Sequence, residues 1–157
     1  MEYLKKFLKV AGFLDNSLVN GEGLRSVLFV SGCRHNCPGC HNISMQDFDY
    51  GDKVSLAEIL NRIKSNIPLI KGVTFSGGDP FEQAEGLSWL ASEIKAMGLN
   101  IWCYSGYTYD EIIKSKDKYK LGLLSNIDVL VDGRYEENLK KGSLKYTGSS
   151  NQKIIRL

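Results

Sequence analysis

Three cysteines, Cys33, Cys37 and Cys40, stand in the spacing C-x3-C-x2-C inside SGCRHNCPGCHN (residues 31–42), and no other feature limits the chain so strongly. Thiolates are soft ligands that select zinc, cuprous copper or iron-sulfur clusters, and a flexible loop can wrap three of them around one centre. A metal centre is the first expectation. Structural zinc closes on four ligands and the common electron-transfer cluster on four cysteines, so three cysteines leave one coordination position open. The fourth cysteine, Cys103, lies far downstream in the apolar run NIWCY, which reads as a strand carrying a small buried hydrophobe. A competing zinc site would have to recruit His35 or His41, and the chain has no second, separated ligand pair of the kind such sites use.

The cysteine loop follows a β-rich run, LRSVLFV (residues 24–30), so the metal would sit at the C-terminal end of a strand. Ser55 followed by Glu58 makes a capping box, and Leu56, Ile59, Leu60 and Ile63 recur at helical spacing over about three turns. Residues 73–76 form a short buried strand closed by Gly77 and Gly78. A second helix spans residues 83–97, with Leu87, Leu90, Ala91, Ile94 and Met97 on one face and Gly98 as its stop. Residues 100–104 give another strand, Thr108 and Glu111 cap a short helix, and residues 127–131 give one more strand before Asp132 and Gly133. Strands alternating with helices predict an α/β fold with parallel pairing and helical crossovers. The chemistry-bearing residues keep falling just past strand ends, the edge where parallel folds gather their sites.

No repeat or linker divides the 157 residues, which read as a single domain, 1–157. The formal net charge of +2, with lysines scattered among acids and no aromatics arranged to stack bases, argues against a nucleic-acid partner. No apolar run approaches the roughly 18 residues that a membrane span needs. The opening MEYLKKFLKVAGFL (residues 1–14) reads as an edge strand, because Lys9 interrupts what would otherwise resemble a signal peptide. Four cysteines without a secretory signal point to reduced thiols and a cytoplasmic protein.

The cysteine loop together with VTFSGGDP (residues 73–80) resembles the radical S-adenosylmethionine enzymes. With VNGEGLRSVLFVSGCRHNCPGCHN (residues 19–42), WCYSGYTYDEI (102–112), IDVLVDGRY (127–135) and GSSNQKII (148–155), the chain resembles more narrowly the activating proteins of anaerobic ribonucleoside-triphosphate reductases. The resemblance implies an incomplete (β/α) barrel of radical SAM type with a mostly parallel sheet. It implies a 4Fe-4S cluster held by Cys33, Cys37 and Cys40, with S-adenosylmethionine chelating the fourth iron. Gly77, Gly78 and Asp79 are then expected to meet the methionine ammonium, the two glycines because backbone without Cβ atoms can approach a ligand closely. The backbone around Gly39, Cys40 and His41 is expected to meet the cofactor, and Ser105, with Tyr104, Gly106 and Tyr107 beside it, its ribose or carboxylate. Asp132 and Gly133 would border the adenosine. Asn151 and Gln152 match the pattern without a role.

Two positions depart from the pattern. Gly39 stands where the wider superfamily has an aromatic residue, and His41 stands where the narrower family more familiarly has tyrosine. The implied activity is that of an oxidoreductase: an electron from a flavodoxin or ferredoxin-like donor cleaves the sulfonium, and the resulting deoxyadenosyl radical takes a hydrogen atom from a glycine of the reductase. The alternatives are an activase of another glycyl-radical enzyme, of the pyruvate formate-lyase kind, and a non-catalytic zinc-binding adaptor.

Overall fold

In a computed structural model, which describes residues 5–157, β1 (Phe7–Ser17) pairs antiparallel with β2 (Arg25–Val30). Its other side carries β3 (Asp52–Ser55), also antiparallel, so the opening stretch is an interior strand and not the edge expected of it. The first four residues of that stretch lie outside the described part. The reversal has a physical reason: Leu8 packs into the core, whereas the short, half-charged DKVS of β3 suits an exposed edge.

Ser55 starts α1 (Leu56–Lys64) by accepting the Glu58 amide at 3.1 Å, and the predicted stripe Leu56, Ile59, Leu60, Ile63 is buried. The chain continues through β4 (Gly72–Gly77), α2 (Ala84–Ala96), β5 (Asn100–Tyr104), α3 (Tyr109–Lys114), α4 (Lys118–Asn126), β6 (Val129–Asp132) and β7 (Lys153–Arg156). The second helix begins one residue later than expected because Pro80–Gln83 forms a 3-10 turn, capped by the Asp79 side chain. The reciprocal capping box forms in full at Thr108 and Glu111.

The seven strands make one sheet in the order β3-β1-β2-β4-β5-β6-β7. Its centre, β2-β4-β5-β6, is parallel and its flanks are antiparallel. The sheet is open, with β3 and β7 at its margins, so the architecture is a mixed α/β sheet without barrel closure. No described helix is long and apolar enough to cross a membrane.

Side chains alternate across the sheet. Leu28, Val73, Phe75, Ile101, Cys103 and Leu130 face the helices and form the main core with Leu87, Leu90 and Ile94 of α2. Trp102, Val129 and Val131 face the other way, where Tyr146 meets the Trp102 ring edge-on at 5.3 Å. Cys103 is fully buried, and desolvation pushes its thiol well above the ordinary range. Cys103→Ser is therefore expected to cost about 1–3 kcal/mol by placing a hydroxyl among apolar neighbours. The metal expected at the cysteine loop should be unaffected, and metal analysis beside a denaturation curve checks both.

Arg25, the first residue of β2, is also fully buried. Its guanidinium donates to Thr74 Oγ1 (2.8 Å), Glu22 O (2.7 Å), Val73 O (2.9 Å) and Asn100 Oδ1 (2.6 Å), and burial lowers its pKa to about 10. It locks the strands together at the end opposite the cysteines. Arg25→Ala is expected to cost about 3 kcal/mol or more, because several buried acceptors lose their donor together. Urea denaturation measures the loss.

Candidate metal centre

The cysteine loop leaves β2 and is fastened at both limbs. Gly32 N donates to Met45 O (2.8 Å) and Cys33 N to Gln46 O (3.0 Å), so the outgoing and returning chains pair side by side. Inside the loop Cys40 N donates to Cys37 O (3.1 Å), closing a turn with Pro38 second and Gly39 third. Gly39 has φ +73°. Proline followed by a residue of positive φ is the signature of a type II turn, which explains the missing aromatic: large side chains rarely adopt that backbone.

The turn after β4 lies directly against this loop. Gly78 N donates to Val30 O (2.8 Å), Asp79 N to Gly32 O (2.7 Å), and Asn42 Nδ2 to Gly77 O (3.2 Å). A Cβ on Gly78 would fall 2.5 Å from the Gly32 and Met45 carbonyl oxygens, so only glycine permits the approach.

Between loop and turn, at the C-terminal edge of the parallel strands, is a cavity of about 200 Å³. Cys33, Cys37, Cys40 and His41 line it from the loop, and Gly77, Gly78 and Ser105 from the strand ends. Tyr104, Gly106 and Gly133 line it too. Gly39 and Asp79 do not: Gly39 backs onto the Glu137 carboxylate, and Asp79 is fully buried. Asp132 instead borders a neighbouring cavity of about 750 Å³, which shares His35, Cys37, Gly133 and Tyr135 with the smaller one. Its Oδ2 accepts the Tyr109 amide at 2.8 Å.

Sequence reasoning missed Asn42, Ser76, Val131, Tyr135, Gly148 and Gln152 in the lining. Strand alternation carried the signal for Ser76 and Val131, which share a sheet face with Tyr104. The others arrive from loops, where no periodicity marks them. Asn151 and Gln152 now acquire a role: Gln152 Nε2 donates to Gly133 O (3.0 Å) and Asn151 Nδ2 to Arg134 O (2.8 Å), clasping the C-terminal segment onto the end of β6. Gln152 Oε1 also accepts the Gly148 amide at 2.7 Å.

The three loop cysteines are each half-buried, and burial lifts the Cys33 thiol to about 11 and the Cys37 thiol upward as well. Water does not deprotonate such thiols readily at neutral pH, whereas a bound metal displaces the proton. Cys103 cannot join them, since it packs on the opposite, helix-covered face of the sheet. Three soft ligands around one cavity, facing a wall of bare glycine backbone, fit a cluster that the protein holds at three corners. The His41 ring lies 5.0 Å from that of Tyr135, so the cavity keeps an aromatic border despite Gly39.

Comparison with known proteins agrees with this geometry. Residues 19–155 match the family described as a 4Fe-4S single cluster domain. The chain is 37% identical over 151 residues to the anaerobic ribonucleoside-triphosphate reductase-activating protein of Haemophilus influenzae, covering 92% of this chain and 95% of that one. The protein of the same name from Escherichia coli K12 is 37% identical over 147 residues, covering 89% and 93% of the two chains. That of Enterobacteria phage T4 is 36% identical over 143 residues, covering 87% and 86%. The fold is similar to the crystal structure of QueE from Escherichia coli, with a TM-score of 0.55 over 65% of this chain and 54% of that one; at 13% identity the likeness concerns the fold alone. A cysteine loop of this spacing, set against a glycine turn and matched along nearly its whole length, places the chain in the family of anaerobic ribonucleoside-triphosphate reductase-activating proteins, which carry a single 4Fe-4S cluster domain.

Proposed function

We propose that this chain is a radical S-adenosylmethionine activase, a single-domain oxidoreductase that installs a glycyl radical on an anaerobic ribonucleoside-triphosphate reductase. The observation that carries the reading is the meeting of Cys33, Cys37 and Cys40 with Gly77 and Gly78 around one cavity. A 4Fe-4S cluster bound there would supply the low-potential electron that cleaves the sulfonium of S-adenosylmethionine.

The chain's own residues bind and orient. Cys33, Cys37 and Cys40 hold the metal. Gly77 and Gly78 present backbone carbonyls to the amino acid end of the cofactor, and their missing Cβ atoms, which would strike the backbone of Val30, Gly32 and Met45, let the turn lie this close to the cysteine loop. Cys40, His41 and Ser105 border the remaining space, and the type II turn at Gly39 sets the direction of the loop. The half-buried wall limits water around the reacting bond. The parallel strands β2, β4, β5 and β6 with their helical crossovers form part of a (β/α) barrel, left incomplete by the antiparallel flanks. The electron comes from a flavodoxin or ferredoxin-like protein, and the thiol chemistry suits the reducing cytoplasm.

Reduced, cluster-loaded protein mixed with S-adenosylmethionine and the anaerobic reductase is expected to produce a glycyl-centred doublet in electron paramagnetic resonance. A doublet on a pyruvate formate-lyase type enzyme and none on the reductase would transfer the activity to that partner. Colourless protein containing zinc and no iron would reject the activase reading itself.

A further inference from the structure

Asp79, the last residue of the glycine turn, is 0% exposed, and both of its oxygens are engaged. Oδ1 accepts from Phe81 N (3.0 Å) and Ser105 Oγ (2.9 Å); Oδ2 accepts from Gly106 N (2.9 Å) and His35 Nε2 (2.6 Å). A carboxylate offers about four lone-pair sites, and these donors fill them. Nothing remains for an ammonium approaching from the cavity.

The donors come from three segments: the cysteine loop, the 3-10 turn after β4, and the turn after β5. His35 is the member from the cysteine loop, and its side chain is only 5% exposed. Its ring meets Tyr107 edge-on at 4.5 Å, and a Cβ on Gly106 would fall 2.4 Å from His35 Cδ2. The imidazole is thus wedged against the β5 turn. It also reaches the metal ligands, because Cys33 Sγ, a His35 ring nitrogen and an Asp79 oxygen all lie within 4.8 Å of one another.

Resting on the activase reading, we propose that Asp79 does not touch the methionine ammonium but acts with His35 as a positioning pair, pinning the cysteine loop to the β4 and β5 turns and so setting where the cluster sits. The ammonium is left to the backbone of Gly77 and Gly78.

The test uses the full chain reconstituted anaerobically with iron and sulfide, as wild type, Asp79→Asn, His35→Leu, His35→Gln and the Asp79→Asn/His35→Leu double variant. Three quantities are read: cluster retention against an iron chelator, the paramagnetic resonance spectrum of the reduced cluster, and the affinity of the loaded fraction for S-adenosylmethionine. His35→Leu and Asp79→Asn are each expected to weaken cluster retention about tenfold and to alter the spectrum in the same sense, as loss of a group orienting metal ligands does. The double variant should be no worse than either single one, because the two residues act as a unit. His35→Gln keeps a side-chain N–H at similar reach and should restore both measures. Cofactor affinity of the loaded fraction should stay within about threefold of wild type throughout.

Asp79→Asn with normal retention and spectrum but more than about tenfold weaker cofactor binding would overturn the proposal in favour of a direct ammonium contact. So would a His35→Leu protein indistinguishable from wild type in both cluster measures. If Asp79→Asn does not fold by circular dichroism, the His35→Leu and His35→Gln pair decides the matter. A wild-type chain that takes up no cluster sinks the activase reading; the variant pattern alone sinks this one.

Discussion

Cys33→Ala is expected to give a folded protein that retains no stable cluster and releases no deoxyadenosine from S-adenosylmethionine. The side chain is half-buried and belongs to no hydrophobic cluster, and the backbone bond from Cys33 N to Gln46 O does not involve the thiol, so the fold survives. On the proposed assignment, what is lost is one of three ligands around an iron-sulfur centre, and two thiolates would leave a second iron without a protein bond. Iron and sulfide analysis, visible absorbance and chromatography of the reaction mixture should all fall to background together. Cys37→Ala and Cys40→Ala should behave alike, while Cys103→Ser keeps its colour. A Cys33→Ala protein with wild-type iron and turnover would remove the ligand assignment on which the function rests.

Gly77→Ala should do nearly as much damage by a different route. Gly77 has φ +111°, and a Cβ there would fall 2.3 Å from Val30 O and 2.4 Å from Val30 N. Both obstacles are backbone of the neighbouring parallel strand, so no rotamer change relieves them. Backbone strain and overpacking together are expected to cost about 3 kcal/mol or more. The relief available, movement of β4 away from β2, pulls the glycine turn off the cysteine loop, so cofactor binding should fall even where the protein still folds. Gly98→Ala is the control: φ is +82°, but nothing lies within 4 Å of the added Cβ. It should cost only about 1 kcal/mol and leave the site alone. Denaturation curves and cofactor titrations on the two variants separate strain from clash.

Much of the sheet centre was legible because its strands carry dense apolar runs bounded by glycine or serine. Residues 100–104 match β5 as observed, the predicted 24–30 exceeds β2 by one residue at its start, and the predicted 73–76 falls one residue short of β4 at each end. The margins were not legible. β3 is four residues of DKVS and β7 four of KIIR, too short for alternation to register, and both exist because a neighbouring strand offers them hydrogen bonds. α4 escaped because KYKLGLLSN carries an internal glycine and no clean apolar stripe; tertiary packing and the Asp117 cap, whose side chain accepts the Tyr119 and Lys120 amides, hold it. In the site, residue spacing identified the cysteines and the glycines. It could not reveal which way Asp79 points, since that is decided by His35, forty-four positions earlier, and Ser105, twenty-six later.

The clasp formed by Asn151 and Gln152 ties the cavity to the far end of the chain. One wall of the cavity, Gly148 and Gln152, is supplied more than a hundred residues after Cys33, and β7 holds it there by pairing with β6. Without that last pairing the three thiols would face a cavity lacking this wall. The lining around the three cysteines is in this way a property of the whole described fold, since Gly148 and Gln152 reach it only where β7 is paired with β6.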